Sequence, residues 1–308
     1  MMRLPYFILF CLGLSWLQTS AALTFSLPPE GEDLVGELIE LKTRYEDTFS
    51  DIARGHDMGF REVSQANPGV DAWLPGEGTE IFVPQLFILP DVPREGVVIN
   101  LAELRLYYYP KDQAQVITYP LGIGREGWGT PEGATHVIRK RAHPSWYVPE
   151  SIRQEHQKMG DPLPEVMPPG PDNPLGEYAI YLGMRGYLLH GTNKPYGVGM
   201  RVSHGCIRLY PEDIEEFFRQ IPVNTPVRII NRPYKAGWRD GQLYVEAHPP
   251  LNEQIKVEGR NHTGLVTAMI TKLGEDRRQP DWDILQTIAR DQTGIPEIVP
   301  LSELPGDN

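Results

Sequence analysis

Cysteine is nearly missing from this sequence. The 308 residues hold two, Cys11 and Cys206. Cys11 falls inside an N-terminal apolar run that reads as a leader, so removal of the leader leaves Cys206 alone. That excludes an internal disulfide. In an exported protein, where disulfides form, one leftover cysteine points to intermolecular pairing or a reactive thiol. Positive charge is also scarce. Lys and Arg number 29 against 41 Asp and Glu, for a net charge of −12. Nucleic acid selects basic surfaces, so that class of partner is set aside. An acidic surface serves solubility or suits a cationic partner. No apolar run reaches the roughly 20 residues that span a bilayer, and no internal repeat is visible.

The leader is MMRLPYFILFCLGLSWLQTSAALTF. Arg3 supplies the positive end, Leu4 to Leu17 are almost continuously apolar, and Ser20-Ala21-Ala22 offers small residues for cleavage. This pattern predicts a secretory signal over residues 1–22, a mature chain starting near Leu23, and no transmembrane segment after cleavage.

What remains is long enough for about two domains, and an apolar content of 40% supplies real cores. LVGELIELKTRY and TEIFVP read as strands. Between them, Phe49, Ile52 and Ala53 fall at helical spacing with Gly55 as a stop, and GFREVSQANPG reads as a second short helix. The order over residues 34–85 is strand, helix, helix, strand. LPDVPREG is a linker. In VVINLAELRLYYYP, Leu104, Leu106 and Tyr108 alternate with Arg105, Tyr107 and Tyr109, the period-2 signal of a strand. QVITYP, EYAIYLG, GYLLHG and VRIIN also read as strands, so residues 96–232 are mostly β. The Pro-rich stretch 141–176 reads as an ordered loop or lid. Pro211, Glu212 and Asp213 open a helix whose stripe is Ile214, Phe217, Phe218 and Ile221. Residues 233–308 carry a short strand, QLYVEAH, and a helix with Asp281 as N-cap and Gly294 as stop.

Gly122, Gly124 and Gly127 spell a literal G-x-G-x-x-G. A dinucleotide fingerprint must open a helix whose N-terminus holds the pyrophosphate. Trp128-Gly129-Thr130-Pro131 follows instead, and nothing there starts a helix. Nucleotide binding is set aside.

The informative pair is LLHGTNKPYG (188–197) and SHGCIRL (203–209). His190 ends an apolar strand, and Cys206 ends a glycine turn just before a helix, so both belong near one rim of the β core. Three readings of Cys206 compete. It can be an inert packed residue, although Ser203, His204 and Arg208 around it are polar. It can join His190 and His204 on zinc, although H-x-C is an unusual ligand spacing and no further cysteine or acid completes the set. Or it is a nucleophile. The thiolate is the reactive form, and an ordinary cysteine titrates near ~8.5, so a paired histidine is needed to take its proton and return it to a leaving amine. Gly205 lets backbone approach closely, and the amides of Gly205 and Cys206 are candidates to face an oxyanion.

HGT followed by SHGCIR resembles the signature of the L,D-transpeptidase (YkuD) family. INLAELRLYYY, PLGIGREGWGTPEG and GPDNPLGEYAIYLG match it too. The resemblance implies a mainly β, sandwich-like catalytic domain over residues 96–232, with Cys206 as nucleophile, His190 as base and the Gly191 carbonyl orienting it. It implies no metal and no cofactor. Arg208 is a candidate for a substrate carboxylate or for bracing the loop, and His204 for shaping the loop or assisting proton transfer. Ser203 is expected to fix the turn, and Trp128 to pack under the substrate path. DTFSDIA, QANPGV and IFVP resemble a LysM domain, a peptidoglycan- or chitin-binding module, although Glu46-Asp47 stands where that family has Gly-Asp. With an α/β segment over 233–308, the arrangement is similar to the Gram-negative branch that attaches an outer-membrane lipoprotein to peptidoglycan in the periplasm. That implies peptidoglycan as donor and a lysine-ended lipoprotein as acceptor. Family members that form 3→3 cross-links are the alternative, and a non-catalytic wall-binding protein is a second.

Overall fold

The computed structural model describes residues 22–259 and 261–303. The expected leader, apart from Ala22, lies outside them. No helix among the described residues is long and apolar enough to cross a membrane.

Near the N-terminus, strands Leu34–Lys42 and Glu80–Ile88 pair antiparallel from Leu34↔Ile88 to Lys42↔Glu80. Two short helices lie between them, α1 (Phe49–Gly55) and α2 (Phe60–Ala66). Thr48 caps α1 by accepting from the Asp51 amide, and Phe49, Ile52 and Ala53 are the face it buries. Asn67 stops α2 and ties it to the second strand. Its amide donates to the carbonyls of Val63 and Phe82 at 2.8 and 2.7 Å, and its oxygen accepts from the Phe82 N–H.

The mainly β core is one curled sheet of nine strands. Its order is Leu23–Ser26, Gln115–Pro120, Arg105–Tyr109, Gly96–Asn100, Pro226–Ile230, Gly133–Ala142, Tyr178–Leu182, Leu188–His190 and Ile207–Arg208. The two ends meet. Gly122, just past the second strand in that order, exchanges both backbone hydrogen bonds with Arg208 at 2.8 Å. A Cβ at Gly122 would stand 2.7 Å from the Gly197 carbonyl, so this closure needs glycine.

The strand Arg105–Tyr109 is buried on both sides. Leu106 and Tyr108 join one core with Leu189, Ile207, Ile214 and Phe217. Tyr107 and Tyr109 join a second core with Phe49, Val63 and Val83 of the βααβ unit. The alternation predicted for this strand thus separates two packed faces. Arg105 on the second face is fully buried and pairs with Glu62 at 2.6 Å.

After Cys206 comes α4 (Pro211–Gln220), with Pro211 in its first turn and Ile214 and Phe217 buried. Strands Tyr234–Arg239, Gln242–Ala247 and Glu297–Val299 form a separate antiparallel sheet.

Three helices went unforeseen. Within 141–176, strands Trp146–Tyr147 and Val166–Met167 pair, and α3 (Glu150–Lys158) rises between them. Its ESIRQEHQK buries only Ile152, so no apolar stripe announces it. The same holds for α5 (Asn252–Glu258), which buries nothing. The third, α6 (Thr263–Leu273), packs Leu265 and Met269 against the C-terminal sheet. The last helix, α7 (Trp282–Asp291), has Asp281 accepting from the amides of Asp283 and Ile284. It ends on Gln292 in the left-handed region, two residues before the expected Gly294.

Candidate active site

His190 and Cys206 reach one face of the sheet through strand register. Leu188–His190 runs parallel to Ile207–Arg208, with Leu189 opposite Ile207 and His190 opposite Arg208. Leu189 and Ile207 are buried in the core. Side chains alternate along a strand, so His190, Arg208 and Cys206 all project from the other face.

His190 is 3% exposed. Its Nδ1 lies 2.6 Å from the carbonyl of Gly191. A carbonyl only accepts, so Nδ1 carries the proton and Nε2 is left as the basic nitrogen. Burial, and then the neighbouring Arg208 guanidinium, pull the imidazolium pKa down to about 3. The imidazole is therefore neutral near pH 7.

The Cys206 thiol is partly exposed. Burial pushes its pKa up, while a hydrogen bond from the Leu188 backbone and the charge of Arg208 pull the other way. The thiol donates to the Gly186 carbonyl at 3.7 Å, and no described hydrogen bond joins it to His190. At rest the pair is a neutral thiol beside a neutral imidazole.

The turn that holds Cys206 is laced together. Gly205 has φ +103°, a left-handed conformation that favours glycine, and a Cβ there would meet the Tyr187 ring at 3.2 Å. Ser203 Oγ donates to the Cys206 carbonyl at 2.5 Å and accepts from the Gly205 amide at 3.2 Å. The Gly205 N–H, expected to face an oxyanion, is thus already engaged by Ser203. The Cys206 N–H has no acceptor among the described residues. Thr130 was not singled out from sequence, yet its hydroxyl donates to the Gly205 carbonyl at 2.8 Å. It stands in the GWGTP stretch that the resemblance had marked as a whole.

His204 turns away from His190 and Cys206. Its Nε2 donates to Glu155 of α3 at 2.7 Å, and Glu155 also pairs with Arg125. The Trp128 ring lies edge-on to His204 at 4.9 Å. Glu155 carried no sequence signal, because α3 has no apolar stripe to announce it, and Arg125 was marked only as part of the PLGIGREGWGTPEG stretch. Their effect is to fasten the 141–176 segment over the Cys206 turn. Zinc ligation by His190, His204 and Cys206 does not fit, because these donors do not converge. Among the described residues, the set whose ligand atoms lie within 4.8 Å of one another is Glu103, Glu246 and His248. There Lys235 Nζ already bridges the two carboxylates, at 2.7 and 2.8 Å.

Arg208 is half-buried, and burial lowers its pKa. Its Nε is buried without a partner, and no described carboxylate pairs with its guanidinium. The loop-bracing ion pair considered from sequence is absent among the described residues. A cation left unpaired near the Cys206 thiol suits an anionic ligand group.

Residues 94–229 match the family model for the L,D-transpeptidase catalytic domain, YkuD. The chain is 43% identical over 286 residues to the Escherichia coli (strain K12) protein Probable L,D-transpeptidase YbiS, covering 90% of this chain and 92% of that one. It is 40% identical over 296 residues to Probable L,D-transpeptidase YcfS of the same strain, covering 94% and 92%. It is 45% identical over 238 residues to Probable L,D-transpeptidase ErfK/SrfK, covering 76% of each. With identity at this level along nearly the full length, and with HGT and SHGCIR meeting on one face of the sheet, the chain belongs to the L,D-transpeptidase (YkuD) family of enzymes.

Proposed function

We propose that this enzyme cleaves peptidoglycan tetrapeptide stems through a Cys206 thioester and passes the acyl group to an amine. The observation that carries the reading is the shared face of His190 and Cys206, with His190 Nδ1 tied to the Gly191 carbonyl and Nε2 left basic. Substrate entry brings the thiol off the Gly186 carbonyl toward Nε2. His190 takes the thiol proton as sulfur attacks the carbonyl on the L-centre of diaminopimelate. The Cys206 amide donates to the oxyanion, and the Gly205 amide joins it where Ser203 Oγ yields. The tetrahedral intermediate collapses, the C–N bond breaks, and His190 returns its proton to the departing D-alanine amine. An incoming amine then attacks the thioester, His190 takes its proton, and the thiol is restored. Arg208, without a carboxylate of its own, holds a carboxylate of the donor stem.

The acceptor is the C-terminal lysine of an outer-membrane lipoprotein. Formation of 3→3 cross-links is the other outcome of the same first half-reaction. The chain is exported with cleavage after Ala22 and acts in the periplasm. Its 34–85 unit is a LysM-like module that presents the glycan, and 233–308 is a structural subdomain. The test is incubation with tetrapeptide muropeptides, with and without a lysine-ended lipoprotein peptide, read by mass spectrometry. A peptide–muropeptide adduct with loss of D-alanine supports the reading. Exclusive stem-to-stem product moves it to 3→3 cross-linking. Unchanged turnover by Cys206→Ala overturns the thioester.

A further inference from the structure

A buried acid pair sits beside the first described residues. Asp57, in the turn after α1, and Asp213, in the first turn of α4, are each 1% exposed, and their side chains touch. Among the described residues, Asp57 Oδ1 and Asp213 Oδ2 meet no donor except a proton shared between the two carboxyls, and the buried hydroxyl of Tyr119 has no partner. The nearby cations are engaged elsewhere. Arg105 spends its guanidinium on Glu62, at 2.6 and 2.9 Å, and on the Asp57 carbonyl at 3.1 Å. Arg54 pairs with Glu212 at 2.8 Å. Glu62, Glu216 and Tyr210 add acid and phenol rather than positive charge. Two carboxyls in this setting cannot both ionise without a cation.

The donor that does reach Asp57 is the backbone nitrogen of Leu23, 2.9 Å from its Oδ2. Leu23 opens the strand Leu23–Ser26 and stands opposite Thr118, so sheet register fixes that nitrogen in place. One residue earlier the Ala22 nitrogen faces Glu216 instead, at 3.4 Å. The Ser20-Ala21-Ala22 run directs the cut between Ala22 and Leu23. Hydrolysis there adds water across the bond. Ala22 leaves with a carboxylate, and the Leu23 nitrogen, once an amide with a single N–H, becomes a primary ammonium.

We propose that Asp57 and Asp213 form a built site for the α-ammonium of Leu23, filled only once the leader has been removed. This rests on the cleavage position proposed above. Asp57 belongs to the βααβ unit and Asp213 to the helix that follows Cys206. Processing would therefore place an ion pair where strand Leu23–Ser26, the βααβ unit and the catalytic domain meet. Without the ammonium, burial above all holds both carboxyls above the usual range, and neighbouring acids add to it, Glu62 at Asp57 and Asp57 with Glu212 at Asp213. A raised carboxyl pKa contributes stability below its unfolded value, near ~4, and loses it as pH rises through the folded value. A chain without the ammonium at this position thus weakens toward neutral pH, and the processed chain does not.

The test begins with the full chain exported through its own leader, the start read by intact mass. A second chain carries one glycine inserted after Ala22, so that processing leaves the amine one residue short of the pair. A third carries Asp57→Asn, with Asp213→Asn as a substitute if it fails to fold. The expected start is Leu23. Acylation of that α-amine at pH 7 is expected to be at least about tenfold slower than in Asp57→Asn, one pKa unit of lost free amine. The glycine-extended chain melts lower at pH 7 than at pH 5 relative to the native form. A different natural start overturns the cleavage reading and the site with it. A Leu23 start with equal acylation rates and equal melting overturns the site and leaves the cleavage reading standing.

Discussion

Burial of His190 as a neutral base makes the fold acid-sensitive by an amount that can be worked out. An unfolded histidine titrates near ~6.5, whereas His190 in the folded enzyme is held down to about 3 by burial and by Arg208. Below pH 6.5 the unfolded chain binds a proton that the folded chain refuses. The stability tied to the neutral form is present above that pH and is lost as pH falls toward 3. Each pH unit in this window costs about 1.4 kcal/mol, so moving from pH 7 to pH 5 removes about 2 kcal/mol through this one residue. His190→Gln keeps a donor for the Gly191 carbonyl and removes the titration. Urea unfolding of both proteins at pH 7, 6 and 5 is the assay. The wild type should lose about 2 kcal/mol more than the variant between the extremes. Parallel losses in the two proteins would show that His190 titrates normally, and the neutral resting base would fall with that result.

A neutral resting pair also predicts that alkylation of Cys206 by iodoacetamide, followed by intact mass, rises about tenfold per pH unit from pH 6 to 8. A plateau across that range would mean a preformed thiolate–imidazolium pair. Arg208→Leu should raise KM for tetrapeptide donors well above any effect on melting, while a melting loss with unchanged KM would make Arg208 a structural residue. Glu155→Gln keeps the shape of α3 but gives up the Arg125 ion pair, so amide exchange in 150–158 should quicken; unchanged protection would show that the segment is held by Ile152 packing alone. Glu62→Leu leaves Arg105 buried and unpaired, a change worth about 3–5 kcal/mol. Pairing it with Arg105→Met should recover much of that loss, and equal damage in single and double variants would refute the pairing argument.

Much of this site is legible in the sequence because its signals are local. HGT and SHGCIR name His190 and Cys206 directly, and apolar runs such as LLH and CIRL place them at strand ends. What local pattern does not carry is register. The one-residue offset that sets His190 against Arg208, and so puts Cys206 on the same face, comes from pairing across the sheet. The Ser203 bonds to Gly205 and Cys206 lie within one turn, yet nothing in the residue types says which amide the hydroxyl takes. Arg105 shows the limit most plainly. In RLYYY it reads as the polar side of a half-buried strand, but the βααβ unit covers that side and Glu62 meets the charge. α3 and α5 escaped for the opposite reason: they bury so little that no periodicity is written into them.

On the reading proposed here, Arg208 ties the resting state of the site to its substrate. Its unpaired guanidinium holds the His190 imidazolium down, second only to burial, and at the same time steadies a Cys206 thiolate. On the proposed reading, a donor carboxylate seated on Arg208 offsets that charge. His190 then becomes a stronger base when there is a carbonyl to attack, and the thiol stays protonated when there is none. This also bears on why the thiol rests on the Gly186 carbonyl rather than on His190. A neutral S–H gains little from an imidazole whose protonation is disfavoured, and a backbone acceptor serves as well. Exported and processed as proposed, the enzyme would carry a single thiol among oxidants that attack thiolates. Burial is what holds Cys206 neutral, and on the proposed reading this protects the thiol until the stem arrives and its carboxylate meets Arg208.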